Sequence, residues 1–461
     1  MLKHNNNLFI VEVRVMEENY SLGTLPAEII IQILKSLGHK DLNNVTRVSK
    51  RMYSLGSDPF LWKNFNLKVK FKKIESHRVL YIAQTLARVI KIDRLRYLNH
   101  IDLCDNDLSS LNSEVLSKIV NIVEDCDIGY TDLTTDQVIH IFKGMEAKTR
   151  LKKFNIRGNS LRGVQSKVLS LTLNKLEDVN LMSTNLTKNQ AMDFFEEMSC
   201  QTRLEVLNIS GNILISVQAS SFGKAVNKLK HVKLENTYLR KLQAESLFEF
   251  MFKGTDVVTM DINQDDLSSI SAEKIAYIIN RLKEVNLSQT KLIGSQTKEI
   301  FEKMSELTNL EKLKINEVDL AAVPANTLSK SLNKIEEVEL SKTNLTIYQG
   351  IYIYSIMSEE TKICKLKIDN NDLSLVPADF LSKGVNKLSE VDLCGTKLTD
   401  TQVTAILLEM LEDSAIQKIA LDGNIETRYK EFVKLLKDKV NVIVTFDRSH
   451  VITSIHLFKK F

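Results

Sequence analysis

The sequence is poor in the residues that interrupt regular structure, since its 461 residues include 15 glycines and only 4 prolines. So small a share excludes collagen-like, proline-rich and other low-complexity chains. No charge of one sign dominates either, because 62 Lys and Arg residues face 58 Asp and Glu residues. Nucleic-acid-binding proteins usually show a larger or more clustered basic excess, so we expect no nucleic-acid partner. A hydrophobic content of 43% argues against overall disorder.

Long apolar segments and paired cysteines are absent as well. No uncharged stretch approaches the roughly 18–20 residues that cross a bilayer, and the apolar run at residues 8–11 is too short for a secretory signal. The five cysteines contain no C-x-x-C pair, which argues against a zinc site and a disulfide framework. We therefore expect a protein of the cytosol or nucleus, with no membrane partner, metal or other cofactor.

Motifs of catalysis are also missing. The sequence contains no G-x-x-x-x-G-K-[ST], no G-x-G-x-x-G after a strand, no G-x-S-x-G and no H-E-x-x-H. The eight histidines are scattered, and His100 near Cys104 is better explained by adjacency along one strand than by a base and its nucleophile. We expect no catalytic residues and a protein that is not an enzyme.

What the sequence does contain is a repeat. From Leu98 onward the pattern apolar-x-x-apolar-x-apolar recurs thirteen times, at intervals that alternate between 25 and 28 residues. Eight residues after each start, two series with a period of 53 interleave. One series consists of Asn106, Asn159, Asn212, Asp265, Val318, Asn371 and Asn424, and the other of Thr131, Thr184, Thr237, Thr290, Thr343 and Thr396. The structural unit is therefore a pair, an Asn-type repeat followed by a Thr-type repeat.

The spacing predicts the shape of the stack. The last two apolar residues of each pattern are two apart and point to one side of a strand, and the Thr-type return segments have helical spacing. Strands stack about 4.8 Å apart, whereas helices with side chains need about 10 Å. The stack must therefore curve, with its strands on the concave face. Because Val318 lacks the hydrogen-bonding groups of asparagine, we expect the repeat at 310–334 to be locally irregular.

This pattern resembles the leucine-rich repeat family, whose consensus L-x-x-L-x-L-x-x-N is matched by residues 204–212. The alternation of two repeat types is similar to the ribonuclease-inhibitor class. The resemblance implies an α/β solenoid, a horseshoe with parallel strands on its concave face, over residues 98–439. Residues 440–446 read as a closing strand, and the rest of the segment 440–461 as a tail. Helical spacing at residues 74–92 predicts a cap for the first repeat within a helical linker at 67–97.

A second pattern precedes the repeats. After an N-terminal tail at 1–19, residues 20–66 predict three short helices with more apolar surface than so small a unit buries by itself. The segment contains, in order, Leu25-Pro26, Glu28-Ile29, Ile33-Leu34, Asp41-Leu42, Val48-Ser49-Lys50-Arg51 and Asp58-Pro59-Phe60-Leu61-Trp62. These residues resemble the F-box family over nearly the whole length of its motif.

The F-box resemblance implies docking on a Skp-type adaptor, which joins a cullin scaffold. An F-box followed by leucine-rich repeats is similar to the substrate-recognition subunit of an SCF-type (cullin-RING) ubiquitin ligase. The alternative is a non-ligase scaffold or inhibitor of the ribonuclease-inhibitor kind, in which the N-terminal helices only cap the solenoid. Trp62 is expected at the junction with the repeats. The residues that the resemblance places at the adaptor are Leu25, Pro26, Glu28, Ile29, Ile33, Leu34, Leu37, Leu42 and Val45.

The strand positions on the concave wall are the usual docking surface of a solenoid. The first two repeats are acidic there, and the sign of the charge often alternates between neighbouring strands, as from Glu124 to Lys152 to Glu177. Such columns either bind a partner or pair laterally with each other, and the sequence leaves both possibilities open. As candidate contacts for a protein target of unknown identity we select Asp102, Asp127, Tyr130, Asn155, Asn180, Asn208, Lys233, Asp261, Lys314 and Lys367.

Overall fold

The computed structural model describes residues 25–37, 39–46, 48–56, 58, 61, 64–66, 99–412, 414–422, 440–446 and 452–459. The tail at 1–19, Trp62 and the predicted cap at 74–92 lie outside these residues. Among the helices of the described residues, none is long and apolar enough to cross a bilayer. The chain begins with three short helices, as the sequence predicted: α1 (Ala27–Lys35), α2 (His39–Val45) and α3 (Lys50–Gly56).

One open sheet follows the three-helix module. Strand β1 (Asn64–Asn66) pairs in parallel with β2, and each repeat then adds one parallel strand in sequence order, so the sheet has no crossovers up to β14. These repeat strands confirm the predicted parallel solenoid. They are β2 (His100–Asp102), β3 (Asp125–Asp127), β4 (Lys153–Asn155), β5 (Asp178–Asn180), β6 (Val206–Asn208), β7 (His231–Lys233), β8 (Thr259–Asp261), β9 (Glu284–Asn286), β10 (Lys312–Lys314), β11 (Glu337–Glu339), β12 (Lys365–Lys367), β13 (Glu390–Asp392) and β14 (Lys418–Asp422).

Between residues 99 and 412, each return segment contains a helix, and its length follows the repeat type. The helices of Thr-type repeats have 13 residues: α5 (Thr135–Ala147), α7 (Lys188–Cys200), α9 (Lys241–Lys253), α11 (Gly294–Glu306), α13 (Ile347–Glu359) and α15 (Asp400–Glu412). Those of Asn-type repeats are shorter, as the repeat lengths predicted: α4 (Ser113–Ile122), α6 (Ser166–Leu173), α8 (Ala219–Val226), α10 (Ala272–Ile279), α12 (Ala325–Leu332) and α14 (Ala378–Asn386).

The core lies between the strands and the helices. The inner strand residues of successive repeats, such as Leu207 and Ile209, are buried, and Cys126 is buried where most repeats have a larger apolar residue. Because each repeat buries its apolar side chains mainly against its neighbours, stability accumulates along the stack. Burying each such side chain contributes about 1.5–3 kcal/mol.

The asparagine position joins successive repeats. Asn212 donates from Nδ2 to the carbonyl oxygens of Leu181 (2.7 Å) and Ile209 (3.0 Å), and its Oδ1 accepts from the N–H of Leu186 (3.1 Å). It therefore fixes the turn of its own repeat against the turn of the preceding one. Val318 can form none of these hydrogen bonds.

The expected irregularity at 310–334 is nevertheless wrong. Strand β10 pairs in register with β9 and β11, and α12 has the usual 8 residues. Val318 is buried, so apolar packing takes the place of the missing hydrogen bonds. The neighbours on both sides impose the regular geometry on this repeat.

The C-terminal end differs from the prediction. Strand β15 (Val440–Phe446) forms as expected, but it does not lie beside the last repeat strand. Instead β16 (Ile452–Lys459) pairs antiparallel with both β14 and β15, so the interpretation of this segment as a tail is wrong. The segment is rich in strand-forming residues, and β14 would otherwise present an unpaired edge.

A glutamine fixes the start of the Thr-type helices. Gln190 Oε1 accepts from the N–H of Thr187, the residue that caps α7, while Thr187 Oγ1 accepts from the N–H of Gln190. Gln190 Nε2 donates to the carbonyl oxygens of Leu161 (2.7 Å) and Val164 (2.8 Å) in the preceding repeat. The same donation to two carbonyls of the preceding repeat recurs at Gln137, Gln243, Gln296, Gln349 and Gln402.

One core position departs from its equivalents. Tyr354 in α13 is fully buried, and its hydroxyl has no hydrogen-bond partner among the described residues. The equivalent residues of four earlier Thr-type helices are Phe142, Phe195, Phe248 and Phe301.

Replacing Tyr354 by phenylalanine is therefore expected to raise the free energy of unfolding by about 1–2 kcal/mol, because a buried polar group without a partner is removed. Thermal and urea unfolding of the two proteins measure the difference. The matched control is Tyr352→Phe on the exposed side of the same helix, which should change stability by less than about 0.5 kcal/mol. A loss of stability in Tyr354→Phe would show that the hydroxyl is hydrogen-bonded.

Candidate adaptor and target surfaces

Helix α1 presents an apolar ridge to solvent. Pro26 caps the helix and accepts a backbone hydrogen bond from Ile30, and Glu28 in the first turn and Lys35 in the last suit the helix dipole. Ile29 is 48% exposed and Ile33 is 41% exposed. Because these two residues are four apart, they lie side by side on one face of the helix.

The nine residues predicted at the adaptor fall into three groups. Pro26, Glu28, Ile29 and Ile33 are exposed, and Leu25, Leu37 and Val45 are half-buried against the core. Leu34 and Leu42 are buried together with Ile30 and Met52 in the core of the module. The prediction that Leu34 and Leu42 lie at the adaptor surface is therefore corrected, since a three-helix unit needs these side chains to hold its own helices together. Adaptor contact by the other seven stays a prediction.

Sequence reasoning missed part of this module's surface. Val48 and Tyr53 are both well exposed, although neither was selected as a contact residue. The guanidinium of Arg51 donates to the carbonyl oxygen of Leu25, which ties α3 to the start of α1. The signal available in the sequence was the large apolar side chains at these positions, in a unit too small to bury them all.

On the concave wall, all six of the selected Asp and Asn side chains accept a hydrogen bond from the backbone of their own turn. Asn208 Oδ1 accepts from the N–H of Ser210 (3.1 Å), and Asp261 Oδ1 accepts from the N–H of Asn263 (3.2 Å). This local hydrogen bond ends each strand in a turn. Asp102 is buried, so its selection as an exposed contact is wrong. The selected residues that form this turn are Asp102, Asp127, Asn155, Asn180, Asn208 and Asp261.

Toward the C-terminal end the charges pair across strands. Lys312 Nζ lies 3.5 Å from Glu284 and 3.7 Å from Glu337, and Lys365 Nζ lies 3.4 Å from both Glu337 and Glu390. Lateral pairing, one of the two possibilities left by the sequence, is confirmed for this column. Each exposed pair contributes only about 0–1 kcal/mol, and the column leaves this part of the wall nearly neutral.

The adjacent column holds two of the selected lysines in the same way. Glu339 lies 3.2 Å from Lys314 Nζ and 3.0 Å from Lys367 Nζ. Burial opposes ionisation of Glu339, but the two lysines outweigh it and hold the pKa of this carboxyl below its usual value. Lys314 and Lys367 are exposed, and a target that binds them must replace these ion pairs.

The N-terminal end of the wall is different. Tyr130 is exposed, and the guanidinium of Arg157 lies over its ring, 5.3 Å from the centroid. Gly158 permits this contact, because a Cβ there would lie 2.2 Å from the ring. Burial raises the pKa of the neighbouring Asp127 carboxyl, which accepts from Asn155 Nδ2 (2.9 Å). Tyr130 and Arg157 therefore form a flat aromatic and cationic surface beside acidic residues.

A small cluster at this end combines two carboxylates and a thiol. The ligand atoms of Asp102, Cys104 and Asp127 lie within 4.8 Å of one another. Burial, with a hydrogen bond to Asp102, raises the pKa of the Cys104 thiol to about 12. In the absence of a metal ion the thiol is then protonated at neutral pH. The cluster by itself does not indicate a metal site.

In the middle of the wall the alternation of charge stops. The first positions of β6, β7 and β8 are Val206, His231 and Thr259, and His231 Nδ1 lies 2.9 Å from Thr259 Oγ1. Lys233, also selected from the sequence, is exposed. Target binding by Tyr130, by Lys233 and by the other selected residues except Asp102 stays a prediction.

Comparisons with known proteins gave one family match and similar solved structures. Residues 22–68 match the F-box-like family. The crystal structure of the leucine-rich repeat-containing protein LegL7 from Legionella pneumophila is similar at 11% sequence identity and a TM-score of 0.32, covering 82% of this chain and 99% of that one. No curated protein matches the sequence.

The protein thus has an F-box-like domain followed by a solenoid of the leucine-rich-repeat type, an α/β fold with parallel strands. F-box domains generally bind Skp-type adaptors. Proteins that join an F-box to leucine-rich repeats are generally ubiquitin ligase adaptors and are typically non-catalytic.

Proposed function

We propose that this protein is the substrate-recognition subunit of an SCF-type cullin-RING ubiquitin ligase, acting in the cytosol or nucleus. The observation that carries the proposal is the F-box-like match at residues 22–68. The structure supports it with the exposed ridge of Ile29 and Ile33 on α1. An apolar ridge on a small helical unit fits a helical groove of the adaptor.

The solenoid would hold the target. Its open wall is long enough for a protein surface, and Tyr130 and Arg157 offer a rigid aromatic and cationic contact of the kind found at interface hot spots. The protein would contribute no catalytic group. It would hold a lysine of the target beside the conjugating enzyme, which raises the effective concentration of the two reactants.

Binding of a purified Skp-type adaptor tests the proposal. The wild-type chain is expected to bind it, and Ile29→Glu with Ile33→Glu is expected to weaken binding at least a hundredfold, or about 2.7 kcal/mol, because two charges would be buried in an apolar contact. Isothermal titration calorimetry measures both constants, and co-elution with adaptor and cullin measures assembly.

Leu242→Glu with Leu307→Glu serves as the control, since it places the same two charges on exposed apolar positions of the solenoid, and it should bind like the wild type. Circular dichroism checks that each variant is folded. A wild-type chain that does not bind the adaptor would refute the ligase role and favour the scaffold or inhibitor alternative.

A further inference from the structure

The six Thr-type helices can be compared position by position, because all have 13 residues and occupy the same place in their repeats. Five of them contain three or more charged residues each. Helix α13, with the sequence IYQGIYIYSIMSE, contains none before Glu359. The charged residues of the other five keep their outward faces in water. Helix α13 has no such charged residues before its last position.

The outward face of α13 is apolar and exposed. Ile347 is 46% exposed, Tyr348 is 72% exposed and Tyr352 is 45% exposed. We call these three exposed residues the α13 patch.

Single exposed apolar residues need no explanation, but a group of them on one face does. Tyr348 and Tyr352 are four residues apart and lie side by side. Tyrosine is enriched at protein interfaces, because it buries a large area at a small cost in conformational entropy. No described residue covers this group in the single chain. These features indicate a surface that another protein covers.

The charges around the patch favour a second copy of this chain. A charged partner would lose its hydration against the uncharged patch, whereas a second copy presents the same uncharged surface. Beside the patch, α14 contains Asp379 and Lys383, one turn apart and 2.9 Å from each other. If two copies meet about a two-fold axis with their helices antiparallel, Asp379 of one faces Lys383 of the other.

The ends of α13 favour the same arrangement. Glu359 and the following Glu360 lie at the C-terminal end, and the first turn contains no acidic residue. In an antiparallel pair, the two glutamates lie near the positive N-terminal end of the second helix. A parallel pair would bring the glutamates of both copies together.

We propose that the α13 patch is the surface through which two copies of this chain associate as a two-fold symmetric dimer, with α13 packed antiparallel on its counterpart. In the sheet, strands β2–β10 lie between β1 and the repeat of α13, so the dimer leaves the F-box-like domain accessible. The dimer would present two concave walls and bind a multivalent target with higher avidity. The proposal does not depend on the proposed ligase function.

Sedimentation velocity on the full chain, from nanomolar to high micromolar concentration, tests this proposal. The wild type is expected to change from monomer to dimer over that range. Tyr348→Glu with Tyr352→Glu is expected to raise the dimer dissociation constant at least about a hundredfold. The matched control is Tyr238→Glu with Leu242→Glu, an equally exposed apolar pair in another Thr-type repeat, which should dimerise like the wild type.

A crosslinking experiment tests the symmetry. With the exposed Cys200 and Cys364 replaced by serine, Tyr352→Cys lies near the proposed axis and should give a disulfide-linked dimer on mild oxidation, whereas Tyr238→Cys should not. A wild type that stays monomeric at all concentrations overturns the proposal. So does a control pair that weakens association as much as the α13 pair, or assembly into species larger than a dimer.

Discussion

Gln190→Leu is expected to lower the free energy of unfolding by about 3–5 kcal/mol. The side chain is buried and forms hydrogen bonds at both ends, to the N–H of Thr187 and to the carbonyl oxygens of Leu161 and Val164. Leucine has nearly the same volume and leaves the N–H of Thr187 and the carbonyl oxygen of Val164 without these bonds, whereas the carbonyl oxygen of Leu161 keeps the bond from the N–H of Val164 (3.0 Å). Each such group costs about 1–3 kcal/mol.

Urea denaturation followed by circular dichroism measures this change, and hydrogen exchange locates it. Because repeats stabilise one another through their interfaces, amides in the two repeats on either side of Gln190 should exchange faster than those near the chain ends. Gln201→Leu is the control, since Gln201 is exposed at the other end of the same helix and its side chain donates to the carboxylate of Glu197. Equal losses in the two variants would contradict the proposed role of the buried amide.

The structural role of these glutamines could not be predicted from the sequence, although their pattern is visible there. Their period of 53 residues is present in the sequence, as are the leucine, asparagine and threonine periods that predicted the solenoid and its two repeat types. A glutamine near the start of an amphipathic helix usually faces water. Only the packing of neighbouring repeats shows that Gln137 and its equivalents reach back to two carbonyl oxygens of the preceding repeat.

The candidate surfaces were predictable in kind and less so in detail. In α1, five isoleucine and leucine residues in nine positions predict both a core face and an outer face, but the sequence does not say which is which. The packing of Leu42 and Met52 decides that Leu34 lies inside and Ile33 outside. On the concave wall, the place of these residues in the strand predicted that their side chains are exposed. The short side chains of Asn and Asp instead accept a hydrogen bond from the backbone of their own turn, as Asn208 does.

Replacement of Asp265 should also have a large effect on stability, but it should raise the free energy of unfolding, whereas Gln190→Leu lowers it. It occupies the asparagine position, accepts from the N–H of Leu239 (2.8 Å) and lies 3.4 Å from Thr237 Oγ1. Unlike Asn212, a carboxylate cannot donate to the neighbouring carbonyl oxygens. Burial raises the pKa of the Asp265 carboxyl to about 7, because the charged form loses its hydration.

The sign of the pH dependence follows from this shift. Between about pH 4 and pH 7 the folded chain keeps a proton on Asp265 that the unfolded chain has released, so this residue lowers stability as the pH rises through that window. A shift of about three pKa units corresponds to about 4 kcal/mol. Asp265→Asn is therefore expected to raise the free energy of unfolding by about 2–4 kcal/mol at pH 8, and by little at pH 4.

Paired urea denaturation curves of the wild type and the variant from pH 4 to pH 8 measure this difference, and other titrating groups cancel in the comparison. The neighbouring Asp266 provides a control of opposite sign. Bonds from Ser268, with the ammonium of Lys291 nearby (3.3 Å), lower the pKa of its carboxyl. Asp266→Asn should therefore lose stability by a nearly constant amount from pH 8 to about pH 4, and the loss should shrink only at lower pH. If the gain in Asp265→Asn is the same at every pH, the buried carboxyl is not the group that titrates, and its advantage comes only from the added amide donor.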